Sequence, residues 1–229
     1  MSETTTEDLP GNALPERPHA VVIGSGLGGL AAAIRLGARG YRVTVLEQLD
    51  APGGRAYVFR QDGFTFDAGP TIITVPFLLE ELWQLCGRKF SDDVELKSLH
   101  PFYRIRFHDG GILDCSADDV EMAAQINRFA PEDLAGYRDF LKISEAIYDV
   151  AFTRLAHVPF NSFADMLRLV PDMLRLQSYR TIHGLVAAYV KDPRLRFALS
   201  FHPLFVGGNP FTTTSIYGMI AFLERRWGV

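Results

Sequence analysis

The hydrophobic pattern changes character along the chain. Ala20, Val21, Val22 and Ile23 form a short apolar run after His19 that stops at a glycine, the pattern of a buried parallel strand. Leu30 to Arg39 is rich in Ala and Leu, which form helices well, and Gly40 stands where that helix would end. Tyr41 to Glu47 (YRVTVLE) predicts a second strand, so residues 19–47 read as strand, glycine turn, helix, strand. Pro52, Gly53, Gly54, Gly63 and Gly69 break the next stretch into loops and short strands. Pro76 to Cys86 (PFLLEELWQLC) predicts a helix with proline in its first turn and Gly87 at its end. Tyr103 to Phe107 alternates, and Asp109-Gly110-Gly111 supplies the positive φ of a tight turn, so Ile112 to Cys115 completes a hairpin. After Asp118 the pattern is almost entirely helical. Within that stretch Phe163 to Arg175 (FADMLRLVPDMLR) has apolar positions at helical spacing, which Pro171 must kink or interrupt.

Composition narrows the class. Of 229 residues, 48% are hydrophobic and 22% charged, which excludes a disordered or collagen-like chain and leaves room for a sizeable core. A formal net charge of −4 gives no general attraction to nucleic acid. That total hides an asymmetry: residues 1–153 carry 14 basic against 23 acidic side chains, residues 154–229 carry 9 against 4. A basic, apolar-rich second part suits a surface that meets anionic lipid, or a helical domain with solvated arginines. Cys86 and Cys115 cannot build a disulfide scaffold, so reduced thiols in the cytoplasm are expected. Uninterrupted apolar runs fall short of the roughly 18–20 residues of a membrane-spanning helix. Residues 1–18 are polar and acidic and read as a flexible leader. No spacing of His, Cys, Asp and Glu suggests a metal site, and Ser25 is not in a G-x-S-x-G elbow. His183 and His202 lie in apolar surroundings, where a bond to a backbone carbonyl is the ordinary role.

The chemistry concentrates in the glycine turn. Gly24, Gly26 and Gly29 follow a predicted strand and open a helix, with Leu27 and Gly28 between them. Gly24 allows the tight turn, Gly26 lets backbone approach a pyrophosphate, and Gly29 lets helix and strand pack closely. The pyrophosphate would sit on free N–H groups at the positive end of the helix. Glu47, 18 residues after Gly29, can accept bonds from ribose hydroxyls and would repel a 2′-phosphate. FAD or NAD is therefore preferred over NADP. Gly53-Gly54-Arg55 tips the choice to FAD, because two glycines and a guanidinium fork can wrap a phosphate-bearing cofactor from the other side.

These residues carry a resemblance. Val22 through Glu47 followed by GGR at 53–55 resembles FAD-dependent oxidoreductases of the amine oxidase and phytoene desaturase group. The runs DGFTFDAGPT (62–71), PFYR (101–104), GYRDFL (136–141), FHPLFVGGNP (201–210) and LERRWGV (223–229) resemble the bacterial-type phytoene desaturases, within the phytoene dehydrogenase and carotenoid/retinoid oxidoreductase family. The resemblance implies an α/β fold: an FAD-binding Rossmann-like domain of the GR2 type, incomplete here, with a largely helical substrate and membrane-contact region. On that reading residues 19–117 begin the FAD-binding domain and residues 118–229 form the helical region. Such enzymes desaturate phytoene toward lycopene or a partly desaturated carotene by hydride transfer to the flavin, at a membrane surface. The implied partners are an apolar polyene and the inner face of the cell membrane; a homo-oligomer stays open. Asp67, Gly69, Pro70 and Thr71 resemble the stretch near the flavin, with Asp67 also suited to holding its loop. Arg168 is the implied catalytic side chain, with lipid contact as its other reading. Phe160, Phe163, Met166, Leu167, Leu169, Met173, Leu174, Leu176, Leu185, Val186, Val190, Phe197 and Phe201 are material for an apolar tunnel, or for an ordinary core. A carotenoid isomerase, a squalene-type desaturase, an amine oxidase and a non-catalytic lipid binder of the GDP-dissociation-inhibitor type remain as alternatives. Two predicted parallel strands are too few for a flavin domain, so the chain is expected to be about half of a working enzyme, weak in FAD binding and inactive alone.

Overall fold

The computed structural model describes residues 17–69 and 72–229. The predicted leader therefore lies, up to residue 16, outside the described residues. The chain divides into two compact units, one ending at Glu95 and the other spanning Leu96–Val229.

In the first unit β1 (His19–Ile23) pairs in parallel with β2 (Arg42–Leu46), Ala20 opposite Val43 and Ile23 opposite Leu46. Between them runs α1 (Leu27–Ala38), which starts three residues earlier than the Ala/Leu pattern suggests, directly on the glycine turn. Gly40, at φ +88°, closes the helix where Gly was expected to end it. The half-buried Ala20, Val22 and Val43 lie on the side that α1 covers. The expectation of a buried β1 is corrected: Val21 is 54% and Ile23 87% exposed, and among the described residues β1 pairs with β2 alone, in a two-stranded sheet. A second hairpin, β3 (Val58–Gln61) with β4 (Phe64–Asp67), turns through Asp62 and Gly63, both at positive φ. The helix α2 (Phe77–Leu85) follows, with Pro76 as its N-cap and Gly87 at φ +68° just past its end. A bidentate Arg35–Glu81 pair at 2.6 and 3.1 Å links α1 to α2.

The second unit holds the core. Its hairpin β5 (Tyr103–Arg106) and β6 (Ile112–Cys115) presents Ile105 and Leu113 inward, while Arg104 and Asp114 pair on the outer face at 2.6 Å. Helices α3 (Asp119–Phe129), α4 (Leu134–Tyr148), α7 (Ile182–Ala187), α8 (Pro193–Ser200) and α9 (Met219–Trp227) pack with that hairpin. Ile126, Phe140, Ile147, Ile182, Leu185 and Leu195 are fully enclosed. The helices start where side-chain oxygens take the free N–H groups: Asp118 for α3, Thr181 for α7 and Asp192 for α8. Buried Asp133, at the head of α4, accepts from the N–H groups of Lys191 and Asp192 at 2.8 and 2.6 Å. Gly136 permits a very close approach, since a Cβ there would stand 1.8 Å from the Tyr189 carbonyl oxygen. The unit boundary precedes the hairpin, and Leu113, Ile105 and Cys115 pack with the helices after them.

The proline break divides Phe163–Arg175 into α5 (Phe163–Arg168) and α6 (Val170–Arg175), with Pro171 in the first turn of α6. A reciprocal Ser162–Asp165 capping box starts α5. Of the apolar residues considered for a tunnel, Leu176, Leu185, Val186 and Val190 belong to the packed core. Phe160, Phe163, Met166, Leu167, Leu174 and Phe197 are exposed instead. Among the described residues no helix is long and apolar enough to cross a membrane.

Candidate functional site: a glycine cradle on the first helix

The turn between β1 and α1 is shaped by its glycines in two different ways. Some are demanded by the chain's own packing. Gly24 sits at φ +94° and donates its N–H to the Leu46 carbonyl at 2.7 Å, which ties the turn to the end of β2. A Cβ on Gly29 would stand 2.0 Å from the Gly24 carbonyl oxygen. Others are not. Gly26 has φ −66°, open to any residue, and a Cβ there would meet only the Gly54 Cα at 3.8 Å, an ordinary contact. A Cβ on Gly28 would meet nothing within 4 Å. Packing among the described residues therefore does not require glycine at 26 or 28, and a side chain there would enter open space.

That space faces the N-terminus of α1, twelve residues long, whose N-cap Gly26 offers no side-chain acceptor and whose first turn holds no acid. Its leading N–H groups, Leu27 and Gly28 among them, carry the positive end of the helix dipole and suit an anionic group. The second glycine segment docks against the same turn. Gly53 donates to the Ser25 carbonyl at 3.0 Å and bridges to Gly26, and a Cβ on Gly54 would stand 2.9 Å from the Gly26 Cα. Arg55 follows in a 3₁₀ turn with its side chain exposed. Gly69 passes the same segment so closely that a Cβ would lie 2.5 Å from the Ala56 Cα. Asp67 ends β4 opposite Val58 and is exposed; Pro70 and Thr71 lie outside the described residues. The first unit thus brings together Gly24 to Gly29, Glu47, Gly53 to Arg55 and Gly69, which are scattered over more than forty residues of sequence.

Glu47 fixes the turn from the end of β2. One carboxylate oxygen accepts from the N–H and the hydroxyl of Ser25, at 2.7 and 2.6 Å; the other accepts from the N–H groups of Gln48 and Leu49, at 2.8 and 3.0 Å. The Ser25 hydroxyl, then the Leu49 and Ser25 N–H groups, hold the Glu47 carboxyl down at about 2, against the opposing effect of desolvation. Ser25, buried between two glycines, is the member that the sequence reading missed. Its signal was there: parallel register brings the residues just past Ile23 and Leu46 side by side, so a small hydroxyl after Gly24 meets an acid at 47.

This arrangement passes a test of fit for a dinucleotide. The cradle is glycine where a phosphate must approach, and the helix end is free of competing carboxylate; ionised Glu47 lies beside it with both oxygens bonded to Ser25, Gln48 and Leu49, bonds that a ribose hydroxyl would have to share or replace. Arg168 belongs to the second unit, on α5, with its side chain 78% exposed and paired to Asp165 at 3.2 Å. His202 is a correction: its ring nitrogen meets the Glu224 carboxylate at 3.3 Å rather than a backbone carbonyl. His183 packs against the rings of Phe197 and Phe211, and burial lowers its proton affinity.

Comparison with known proteins gives the family. A lycopene-forming phytoene desaturase of Pseudescherichia vulneris is 53% identical over 209 residues, which are 91% of this chain and 42% of that protein. One from Pantoea ananas is 51% identical, again over 91% of this chain and 42% of the relative. A neurosporene-forming phytoene desaturase of Cereibacter sphaeroides is 48% identical, over 92% and 41%. The chain thus spans about two fifths of the length of these relatives. Among solved structures, the PF1083 protein from Pyrococcus furiosus (TM-score 0.51, 20% identity, 92% of this chain and 43% of that one) shares the fold. So does a redesigned putrescine oxidase (TM-score 0.54, 19% identity, 89% and 41%). The family described as flavin containing amine oxidoreductase matches residues 27–228, from the first residue of α1 to the residue after α9, and the chain belongs to that family.

Proposed function

We propose that these residues are the N-terminal portion of an FAD-dependent phytoene desaturase, which converts phytoene to lycopene or a partly desaturated carotene. The observation that carries this reading is 48–53% identity, over nine tenths of the chain, to enzymes named for that reaction. The cradle supports it. In this reading the α1 N-terminus and Gly26 receive the pyrophosphate of FAD, and Glu47 turns toward the ribose hydroxyls. Arg55 adds charge from the other side, and the Asp67–Thr71 loop approaches the flavin ring. The bound flavin would supply the hydride acceptor. The paired strands β1 and β2 begin a Rossmann-like GR2 sheet whose further strands lie in a longer chain, consistent with the exposure of Val21 and Ile23 and with the greater length of the relatives.

The substrate has no charge and no hydrogen-bonding group, so its binding must come from apolar burial, about 25 cal/mol per Å² removed from water. It must also leave a bilayer. We assign the membrane contact to α5 and α6, at the inner face of the cell membrane. Phe163, Leu167 and Leu174 are 77%, 54% and 60% exposed there, beside Arg168 and Arg175. The deciding experiment is expression, in a phytoene-accumulating host, of the reading frame that contains these residues, with pigment extraction. Coloured carotenes that vanish in the Gly26→Ala variant are expected. Unchanged phytoene with flavin bound would refer the protein to another substrate, and a product with the same hydrogen count would make it an isomerase.

A further inference from the structure

The second unit buries a polar cluster that the flavin reading does not use. Glu224 of α9 and His202 of the preceding 3₁₀ turn (His202–Val206) have side chains 6% and 2% exposed. One Glu224 oxygen, Oε2, accepts from the Tyr103 hydroxyl at 2.8 Å and lies 3.3 Å from His202 Nε2. The other, Oε1, and His202 Nδ1 are both buried with no hydrogen-bond partner. The Tyr103 and Arg225 donors are already committed. Tyr103 has given its proton to Oε2. The Arg225 guanidinium is taken by the Tyr137 hydroxyl at 2.8 Å, the carbonyls of Ser116 and Ala117, and Asp119. The Cys115 thiol, pushed up to about 12 chiefly by burial, is neutral and a weak donor. A carboxylate oxygen in this position is costly unless something donates to it.

The same two residues line a cavity walled by Phe102, Leu113, Leu199 and Ala221. The space open to the centre of a water molecule is about 30 Å³, where about 10–15 Å³ on that measure holds one. We propose that this cavity is a binding site for ordered water, held between Glu224 Oε1 and His202 Nδ1. Water fits because it both donates and accepts. With a neutral imidazole protonated at Nε2, Nδ1 is an acceptor, and the two hydrogens of one water, or a chain of two waters, serve both acceptors. With an imidazolium, Nδ1–H donates to the water and the water donates to Oε1. A ligand that only donates satisfies the first state alone. Tyr103 on β5, Glu224 on α9 and the turn at His202 are already joined through Oε2, and the water adds a second link between Glu224 and His202.

A crystal structure of the protein at a resolution that orders solvent tests this. Density within hydrogen-bond reach of Glu224 Oε1 and linked to His202 Nδ1 is expected. An anhydrous cavity, or both atoms bonded to protein groups, would overturn the proposal. Oxygen-17 relaxation dispersion gives an independent count of slowly exchanging waters in solution. Ala221→Val and Ala198→Val each add two methyl groups at the cavity wall and leave every polar side chain in place. Loss of one or two long-lived waters is expected in the variant that fills the cavity. The same count in both folded variants would count against the site.

Discussion

Four donors on one carboxylate set the acid behaviour of the cradle. The folded-state pKa of Glu47 lies near 2, below its ordinary 4.5. A depressed acid stabilises the fold fully above the ordinary value and loses that contribution as pH falls toward 2. A carbon-13 titration of the carboxyl should therefore find Glu47 still ionised at pH 3.5, and Ser25→Ala should move its midpoint upward, since the Ser25 hydroxyl is the largest cause. A midpoint unmoved by Ser25→Ala would remove that bond from the account. The two kinds of glycine separate in the same way. Gly26→Ala should leave the melting transition within about 1 kcal/mol of the parent, because its Cβ meets ordinary space, yet cost flavin retention. Gly29→Ala, with its Cβ 2.0 Å from a carbonyl oxygen, should destabilise the first unit by about 1–3 kcal/mol. Equal melting of the two variants would contradict the distinction.

At the level of elements, α5 and α6 are exposed on their apolar positions and held by local bonds. The capping box at Ser162 and the Arg154–Asp172 and Arg175–Asp172 pairs do not depend on Leu167 or Leu174. Replacing both leucines with Asp should leave circular dichroism unchanged and abolish pelleting with vesicles that contain anionic lipid. Pelleting that survives would move the membrane contact elsewhere. In α4 the expectation is opposite, since Gly136 is enclosed against Tyr189. Gly136→Ala should lower stability by about 1–3 kcal/mol in thermal unfolding, with flavin handling untouched. The GYRDFL run thus has a packing reason for its glycine that needs no appeal to chemistry.

Across the whole molecule, burial is uneven. Among the described residues the first unit encloses Ser25 and Phe90, while the large core belongs to the second. Backbone opening free energy follows enclosed apolar contact. Hydrogen exchange on the intact chain should therefore show amides of β1 and β2 exchanging much faster than those of α4 and α7. Added FAD should slow exchange at residues 24–29 and 47–55 first. Uniform protection across both units would refute the uneven core.

Much of this is legible in the amino-acid sequence. The glycine turn, the strand–helix–strand order, Glu47, the hairpin at 103–115 and the break at Pro171 rest on local chemistry: positive φ, period, missing N–H groups. Each needs only neighbours within a few residues, so the sequence determines it. Tertiary structure alone decided which glycines packing requires and which it leaves free, because that depends on atoms brought in from position 54 or 189. It also decided that Ser25 completes the Glu47 clamp, that Leu185 and Val190 are core while Leu167 and Leu174 face solvent, and that His202 meets Glu224. Those partners are distant along the chain. Apolar periodicity tells which residues share a face, and only the packing of other elements determines whether that face is covered.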